Sequence, residues 1–328
     1  MYCPRLEHYV RLNQDGTYGR CGHMVNSPGS KTLQDLDNSK WLKDVRRHMA
    51  NNEWPEQCRR CRDTEESTGE SVRLKSIDRH NILKTKKDDY LIVGGVLDNT
   101  CNSACQTCNS LLSTKIGGLE TKNYKRIDNY AKFWELPVNR ILEVDVSGGE
   151  PTASKNYKKL LAGLPDNTKI VRMNTNGSRM IPEVVDILEK GIMVIVTLSL
   201  DGIGKVHDYV RWPIKWKHYS QTVEKYIELA TQYKLLKLDF WTTVSCLNVN
   251  NLENIKHYAR EKNIPHNWAF LNTPDVYNVK HKNLFTIKAK HTYPDKIAIG
   301  DDNSKDLALH IRKQDSLRNT DIGRYLSF

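Results

Sequence analysis

The stretch Cys101-Asn-Ser-Ala-Cys105-Gln-Thr-Cys108 decides how the rest of this chain is interpreted. It follows the apolar run Leu91-Ile-Val-Gly-Gly-Val-Leu97, which predicts a buried strand that ends just before the cysteines. Three thiolates at CxxxCxxC spacing hold three irons of a four-iron cube and leave one iron open. Open coordination distinguishes catalytic metal sites from closed structural ones. The spacing therefore favours a catalytic centre, with a zinc site or a chance arrangement as the alternatives.

A second motif, Val146-Ser-Gly-Gly-Glu-Pro151, closes another apolar run further along the chain. Together the two motifs resemble the radical SAM superfamily. The resemblance implies a [4Fe–4S] cluster on Cys101, Cys105 and Cys108, with S-adenosylmethionine (SAM) bound to the open iron. In that family the reduced cluster cleaves SAM, and the resulting 5′-deoxyadenosyl radical takes a hydrogen atom from a substrate.

The resemblance also implies a SAM site. The residues expected to form it are Gly148, Gly149, Glu150, Pro151, Asn174, Asn176, Ser199, Asp201 and Arg211. The glycines would allow close backbone approach, Glu150 would accept from the SAM ammonium, and Arg211 would pair with its carboxylate. Ordinary turn formation is the alternative, because these residue types dominate loops. Thr107 departs from the family, which commonly places a large apolar residue there against adenine, so the adenine wall is expected elsewhere.

Strand-like and helix-like segments alternate along the middle of the chain. Strands are predicted at 90–97, 141–146, 170–174, 193–200, 236–244 and 267–271, with helices at 104–113, 124–134, 156–161, 180–189, 219–233 and 252–262. Such alternation indicates an α/β fold with parallel strands and right-handed crossovers. The strand count matches the partial (β/α)6 TIM-like barrel that the resemblance implies. In such barrels functional residues gather at the carboxyl ends of the strands.

The first 85 residues predict a small cysteine-rich α+β module. Asp15-Gly16 lies between two part-alternating arms, which indicates a hairpin that brings Cys21 towards Cys3. Cys58 and Cys61 follow a short amphipathic helix, so four thiolates would meet in one site that suits a four-iron cluster or zinc. This module resembles the twitch domain, a shortened SPASM domain, although that domain usually follows the barrel. The same order occurs in a bacterial and phage group of twitch-containing radical SAM proteins, so the resemblance implies a second [4Fe–4S] cluster, with zinc as the alternative.

These patterns divide the chain into three expected segments. Residues 1–85 form the auxiliary-cluster module, 86–275 the barrel, and 276–328 a basic segment that covers the barrel opening. The last segment includes a predicted helix at 307–318.

Composition limits the cellular context. The 328 residues contain no apolar run near the ~18–20 residues of a membrane span, so no membrane partner is expected. The chain starts without the layout of a signal peptide, and eight cysteines without a secretory context are expected to be metal ligands in a reducing cytoplasm. The net charge of +11 fits either a polyanion partner or a solvated lysine-rich surface.

Three functions remain open at this point. A peptide or protein side chain is the favoured substrate, because auxiliary clusters of this kind occur mainly in enzymes that act on peptides. A nucleotide or RNA substrate is the alternative that the charge supports. A non-catalytic nucleic-acid-binding metal protein is the third possibility. Either enzyme would need an external electron donor such as flavodoxin or ferredoxin.

Overall fold

The structure is a computed structural model that describes residues 1–84, 89–121, 123–293 and 295–326. The strands are β1 (Tyr9–Leu12), β2 (Tyr18–Gly19), β3 (Leu91–Val96), β4 (Ile141–Ser147), β5 (Ile170–Thr175), β6 (Met193–Ser199), β7 (Leu236–Val244) and β8 (His266–Phe270). The six strands predicted from 90 to 271 are confirmed as β3 to β8, each within a residue or two of its expected ends. Runs of buried apolar residues are local signals, so these strands were visible in the sequence.

Helices separate most of these strands. They are α1 (Arg5–His8), α2 (Leu33–Asn38), α3 (Lys40–Ala50), α4 (Arg59–Thr68), α5 (Val72–Leu83), α6 (Thr114–Glu120), α7 (Tyr130–Trp134), α8 (Lys155–Ala162), α9 (Val184–Glu189), α10 (Lys205–Val210), α11 (Trp216–Gln232), α12 (Leu252–Glu261), α13 (Leu284–Ala289) and α14 (Ser304–Arg318). The prediction of a helix at 104–113 is wrong, because this segment is irregular. Its backbone donors bond to distant residues instead, as when the Ala104 N–H donates to the Trp212 carbonyl at 2.8 Å.

The chain forms two compact units. The first comprises Met1–Asp98, Ile127–Gly148 and Lys159–Arg172, and the second comprises Asn99–Arg126, Gly149–Lys158 and Met173–Phe328. The mostly parallel α/β fold predicted from the sequence is confirmed. All the described strand pairs are parallel except that of β1 with β2.

In the first unit the strand order is β2-β1-β3-β4-β5, with the first three residues of β5 belonging to this unit. The predicted hairpin is confirmed, because β1 and β2 pair antiparallel around Gly16, which has a positive φ of 84°. Strand β1 also pairs parallel with β3, from Tyr9 opposite Ile92 to Leu12 opposite Gly95. The N-terminal cysteine-rich segment is thus joined to the sheet by a strand of its own.

In the second unit β6, β7 and β8 lie in that order with parallel pairing. Alternate residues of β6 and β7 are buried, among them Val196, Leu198 and Phe240 at no exposure. Helix α11 buries Tyr219, Val223 and other residues at helical spacing. The opposite face of these strands is open, and Ser199 on β6 lies there in register with Trp241 on β7.

The C-terminal part of the chain packs into the second unit. Leu307 and Ile311 of α14 are buried in a cluster with Tyr209, Cys246 and other apolar residues. The predicted helix at 307–318 is confirmed and starts three residues earlier. Across the described ranges, no helix is both long enough and apolar enough to cross a bilayer.

Candidate active site and second cysteine cluster

The segment that carries Cys101, Cys105 and Cys108 is a loop fixed by its backbone. The Cys101 N–H donates to Thr114 Oγ1 at 3.1 Å, and the Gln106 N–H donates to the Val210 carbonyl at 2.8 Å. Helix α10, which ends at Val210, and the start of α6 thus define the path of the loop. The loop geometry is set by tertiary contacts and not by local propensity.

The three thiols lie close enough to act on one another electrostatically. Burial, and then the neighbouring Cys105, raise the pKa of Cys101 to about 11, and the same two causes raise the pKa of Cys108 to about 12. The Ser103 N–H donates to Cys101 Sγ at 3.4 Å, which opposes this rise. Buried thiols that crowd together are unfavourable as free thiolates and favourable as ligands of a cation.

The two glycines before Glu150 allow a tight turn against the cysteine loop. Gly149 has a φ of 57°, and a Cβ there would lie 2.3 Å from the Thr100 carbonyl oxygen. The Glu150 N–H donates to that same carbonyl at 2.8 Å. A side chain at position 149 would push the turn away from the loop, so glycine is needed for this contact.

Glu150 is buried, and its carboxylate is hydrogen-bonded within the protein. Its side chain is 1% exposed, and its carboxylate accepts four hydrogen bonds from the protein itself. Oε1 accepts from the Thr152 N–H, the Thr152 hydroxyl and the Thr175 hydroxyl at 3.1, 2.9 and 2.8 Å, and Oε2 accepts from the Asn176 N–H at 2.7 Å. Burial raises the pKa of Glu150, and these donors oppose the rise. A carboxylate has about four acceptor positions, so this one has little capacity left for an ammonium group.

The two candidate asparagines after β5 have different environments. Asn176 is buried, and its Nδ2 donates to Asn102 Oδ1 at 2.7 Å and to Ser103 Oγ at 2.9 Å. Asn174 is exposed on the strand. Asn176 therefore joins the end of β5 to the cysteine loop, and Asn174 stays available to a ligand.

Asp201 and Arg211 form a buried ion pair near the cysteines. Arg211 Nη1 donates to Asp201 Oδ2 at 2.9 Å, and Asp201 Oδ1 accepts from the Thr243 N–H at 2.8 Å. Burial lowers the pKa of Arg211, whereas Cys105 and Asp201 raise it above the ordinary value, so the guanidinium lies near the Cys105 thiol. Arg211 Nε is buried and has no acceptor among the described residues. A buried donor without a partner is able to bind an anionic group at this place.

Sequence reasoning missed several residues that shape this site. Thr175 and Thr152 hold Glu150, and Trp241 lies on the open face of β7 with 42% of its surface exposed. An aromatic residue at an uncovered position of a parallel strand is the pattern that would have indicated Trp241. No local pattern marks Thr175, because it is distant in sequence from Glu150, whereas Thr152 follows that carboxylate by two residues.

The other four cysteines meet in the first unit. Cys3, Cys21, Cys58 and Cys61 line one small cavity, together with Trp54 and other side chains. Burial, and then Cys21, raise the pKa of Cys3 to about 12, and burial with the three neighbouring thiols raises that of Cys58 to about 12. The four thiols that the sequence brings towards one another thus line the same cavity.

Three of these four thiols accept N–H hydrogen bonds. The backbone N–H of Arg5 donates to the Cys3 sulfur, and that of His23 donates to the Cys21 sulfur at 3.4 Å. The backbone N–H of Arg73 donates to the Cys61 sulfur. The Arg5 guanidinium also donates to Cys21 Sγ at 3.7 Å. Hydrogen bonds to the sulfurs are a means by which proteins tune iron–sulfur clusters.

Comparison with known proteins identifies the family. A family model described as the Radical SAM superfamily matches residues 97–261, which is half of the chain. The chain belongs to the radical SAM superfamily. Members of this superfamily use a [4Fe–4S] cluster and SAM.

Individual relatives match a smaller share of the chain than the family model does. Mycofactocin maturase MftC of Mycobacterium tuberculosis is 33% identical over 117 residues, which are 35% of this chain and 29% of that protein. MftC of Mycobacterium ulcerans matches at the same identity over 35% of this chain and 30% of its own length. This chain thus spans less than a third of the curated relatives that it matches.

Solved structures of SuiB from Streptococcus suis are more distant. The complex with the precursor peptide SuiA has a TM-score of 0.44 and 17% identity, covering 88% of this chain and 68% of that chain. The complex with SAM gives the same values. A likeness at this level carries no argument about function.

The residues of both cysteine sites fit an iron–sulfur cluster. Within the described part of the chain, no three His, Cys, Asp or Glu side chains are grouped closely enough to hold a single metal ion. The donors at both sites are cysteine thiols, which are the usual ligands of iron–sulfur clusters. The buried, unpartnered Arg211 Nε additionally fits the carboxylate of a bound amino acid.

Proposed function

We propose that this chain is a radical SAM enzyme whose cluster is ligated by Cys101, Cys105 and Cys108. The observation that carries the proposal is the hydrogen-bonded assembly of cysteine loop, Gly148–Gly149 turn and β5 end around the buried Glu150. When bound, the cluster supplies the electron that cleaves SAM to a 5′-deoxyadenosyl radical. The protein's own residues fix the loop, orient SAM and keep solvent away.

The SAM site is proposed at the open corner of this assembly. Arg211 supplies a spare N–H donor to the methionine carboxylate, and Asp201 holds the guanidinium in place. The carbonyls of the Gly148–Pro151 turn accept from the ammonium, while the Glu150 carboxylate keeps the turn in position. Asn174 and Ser199, at the ends of β5 and β6, are proposed to contact the nucleoside part.

We infer that the substrate is a peptide or protein side chain. The name maturase of the matched relatives supports this inference, since a maturase acts on a precursor. One face of β7 supports it too, because the exposed Lys237 and Trp241 lie there and offer a charged and an aromatic contact to peptide side chains.

We further propose that Cys3, Cys21, Cys58 and Cys61 hold a second [4Fe–4S] cluster in a twitch-like segment. Four thiols that line one cavity, with N–H donors aimed at three of them, support this assignment. An external one-electron donor such as flavodoxin or ferredoxin would reduce the enzyme. All eight cysteines are free, which suits a reducing cytoplasm. Residues 276–328 are proposed to cover the open side of the barrel.

The decisive experiment is anaerobic reduction of the reconstituted protein with SAM. Release of 5′-deoxyadenosine is expected from the wild type and is expected to vanish in Cys105→Ala. Cys246→Ala is the matched control, since Cys246 is also buried but packs among apolar residues. Equal release from wild type and Cys105→Ala would refute the proposed ligand set.

Substrate class needs a second experiment. Peptides encoded beside the gene are added to the reducing assay, and a mass change in a peptide would support the inference. The net charge of +11 keeps RNA as the alternative substrate. A modified RNA nucleoside without peptide modification, with RNA affinity that falls steeply as salt rises, would favour that alternative.

A further inference from the structure

The last helix of the chain ends on the cysteine loop. Arg318 is the final residue of α14 and is 5% exposed. Its Nε donates to the Ala104 carbonyl at 2.8 Å, and its Nη2 donates to the Cys105 carbonyl at 3.5 Å. One guanidinium thus holds two successive carbonyls of the loop that carries the middle cysteine.

The rest of the guanidinium is held by its own helix. Nη1 donates to the Gln314 side-chain oxygen and to the Gln314 carbonyl at 3.3 Å. A further buried contact holds the same loop, because the Tyr277 hydroxyl donates to Gln106 Oε1 at 3.0 Å. Residues beyond the family match at 97–261 therefore support the loop from one side.

The charge of Arg318 lacks a full counter-ion. Among the described residues Arg318 forms no salt bridge, and Glu120, the carboxylate that acts on it, is exposed. The end of α14 offers about half of a negative charge, which compensates only part of the guanidinium. Burying a charge is costly unless an opposite charge is near. The nearest group that becomes anionic on metal binding is the Cys105 thiol, which Arg318 influences electrostatically.

We propose that Arg318 is a positioning residue for the cluster loop and supplies the buried positive charge that offsets the thiolate at Cys105. This inference rests on the proposed function of the same site. A cation beside a cluster stabilises its reduced form, because reduction adds negative charge. Arg318 therefore raises the reduction potential of the SAM-binding cluster and slows the loss of its iron.

The test compares Arg318→Gln, Arg318→Lys and the control Arg312→Gln. Arg312 lies on the same helix and is exposed, so its loss removes one charge without touching the loop. The SAM-responsive cluster is identified in each protein by the change in its EPR spectrum when SAM is added. Its midpoint potential and the rate of iron loss to a chelator are then measured.

For Arg318→Gln we expect a more negative midpoint potential and iron loss about 10–100-fold faster, as for other residues that support a metal ligand. Arg318→Lys keeps the positive charge, so we expect its midpoint potential to stay close to that of the wild type. We still expect faster iron loss, because lysine cannot make the forked contact with two carbonyls. Absence of the SAM-responsive cluster in Arg318→Gln, with circular dichroism unchanged, would also support the role.

Unchanged potential and chelation rate in Arg318→Gln would overturn the inference, and so would an equal shift in Arg312→Gln. These outcomes are distinct from failure of the proposed function. That failure would be visible in the wild type, as a cluster whose spectrum does not respond to SAM.

Discussion

Substitution of Glu150 by glutamine separates two roles for this residue. If the carboxylate holds the turn, the change must destabilise the protein even without SAM. The amide keeps one acceptor and replaces the other with a donor. With its oxygen at the Oε1 position, its NH2 group faces the Asn176 N–H, and that buried donor is left unpaired.

The magnitude follows from these contacts. An unpaired buried donor costs about 1–3 kcal/mol, and the bonds that remain lose the strengthening that a charged acceptor gives them. We expect Glu150→Gln to reduce the free energy of unfolding by about 3 kcal/mol. Thr175→Val removes one of the four donors and should cost about 1 kcal/mol.

The assay is urea unfolding and thermal melting of each variant without SAM, with Glu228→Gln on the exposed face of α11 as the control. The control should stay within about 0.5 kcal/mol of the wild type. The competing role, direct binding of the SAM ammonium, predicts a stable variant that binds SAM weakly. If Glu150→Gln melts like the control and loses SAM affinity, the Glu150 carboxylate does not act by holding the turn.

Three further predictions concern Arg211, Cys58 and His207. Arg211→Gln should weaken SAM binding at least tenfold by calorimetry, because a charged carboxylate contact is worth roughly 1.5–3 kcal/mol, and unchanged affinity would remove Arg211 from the site. Cys58→Ala should lower the iron content of reconstituted protein from about eight to about four per chain, whereas loss of one zinc and no iron would contradict a second cluster. His207 is fully buried, and burial followed by Arg211 lowers its pKa to about 3. The folded protein therefore keeps the His207 imidazole neutral, whereas the unfolded chain takes up a proton there near pH 6.5. Acidification thus favours the unfolded state, and the free energy of unfolding should fall by about 2 kcal/mol between pH 7 and pH 5. Urea unfolding of the wild type should show this loss, and that of His207→Gln should not. If the free energy of unfolding of the two proteins changes with pH in the same way, the prediction is contradicted.

The elements that sequence predicted well are those with local signals. Strands β3 to β8 each carry a short apolar run, and α11 repeats apolar residues at helical spacing. The hairpin at Asp15–Gly16 was visible because a turn residue with positive φ is needed there. The motif cysteines and the Gly148–Pro151 turn were found through their spacing.

What sequence could not predict depends on distant contacts. The segment 104–113 has helix-compatible residues, yet its donors and acceptors are taken by Trp212, Val210 and Arg318. The same reason explains Glu150, whose partners Thr175 and Asn176 come from the end of β5. The pairing of β1 with β3 was also missed, because its pattern does not indicate which strand it will join.

A shared electrostatic feature marks the two cysteine sites, each considered within its own unit. Arg318 is buried beside the Cys105 carbonyl, and Arg5 is partly buried with its guanidinium on Cys21 Sγ. In the described part of the chain neither arginine forms a salt bridge with a carboxylate. Thiolates that form when a metal binds would give each of these cations an anionic neighbour. A buried arginine without a salt bridge beside a cysteine therefore supports each of the two proposed cluster sites independently of the CxxxCxxC motif, whereas Cys246 lies among apolar residues.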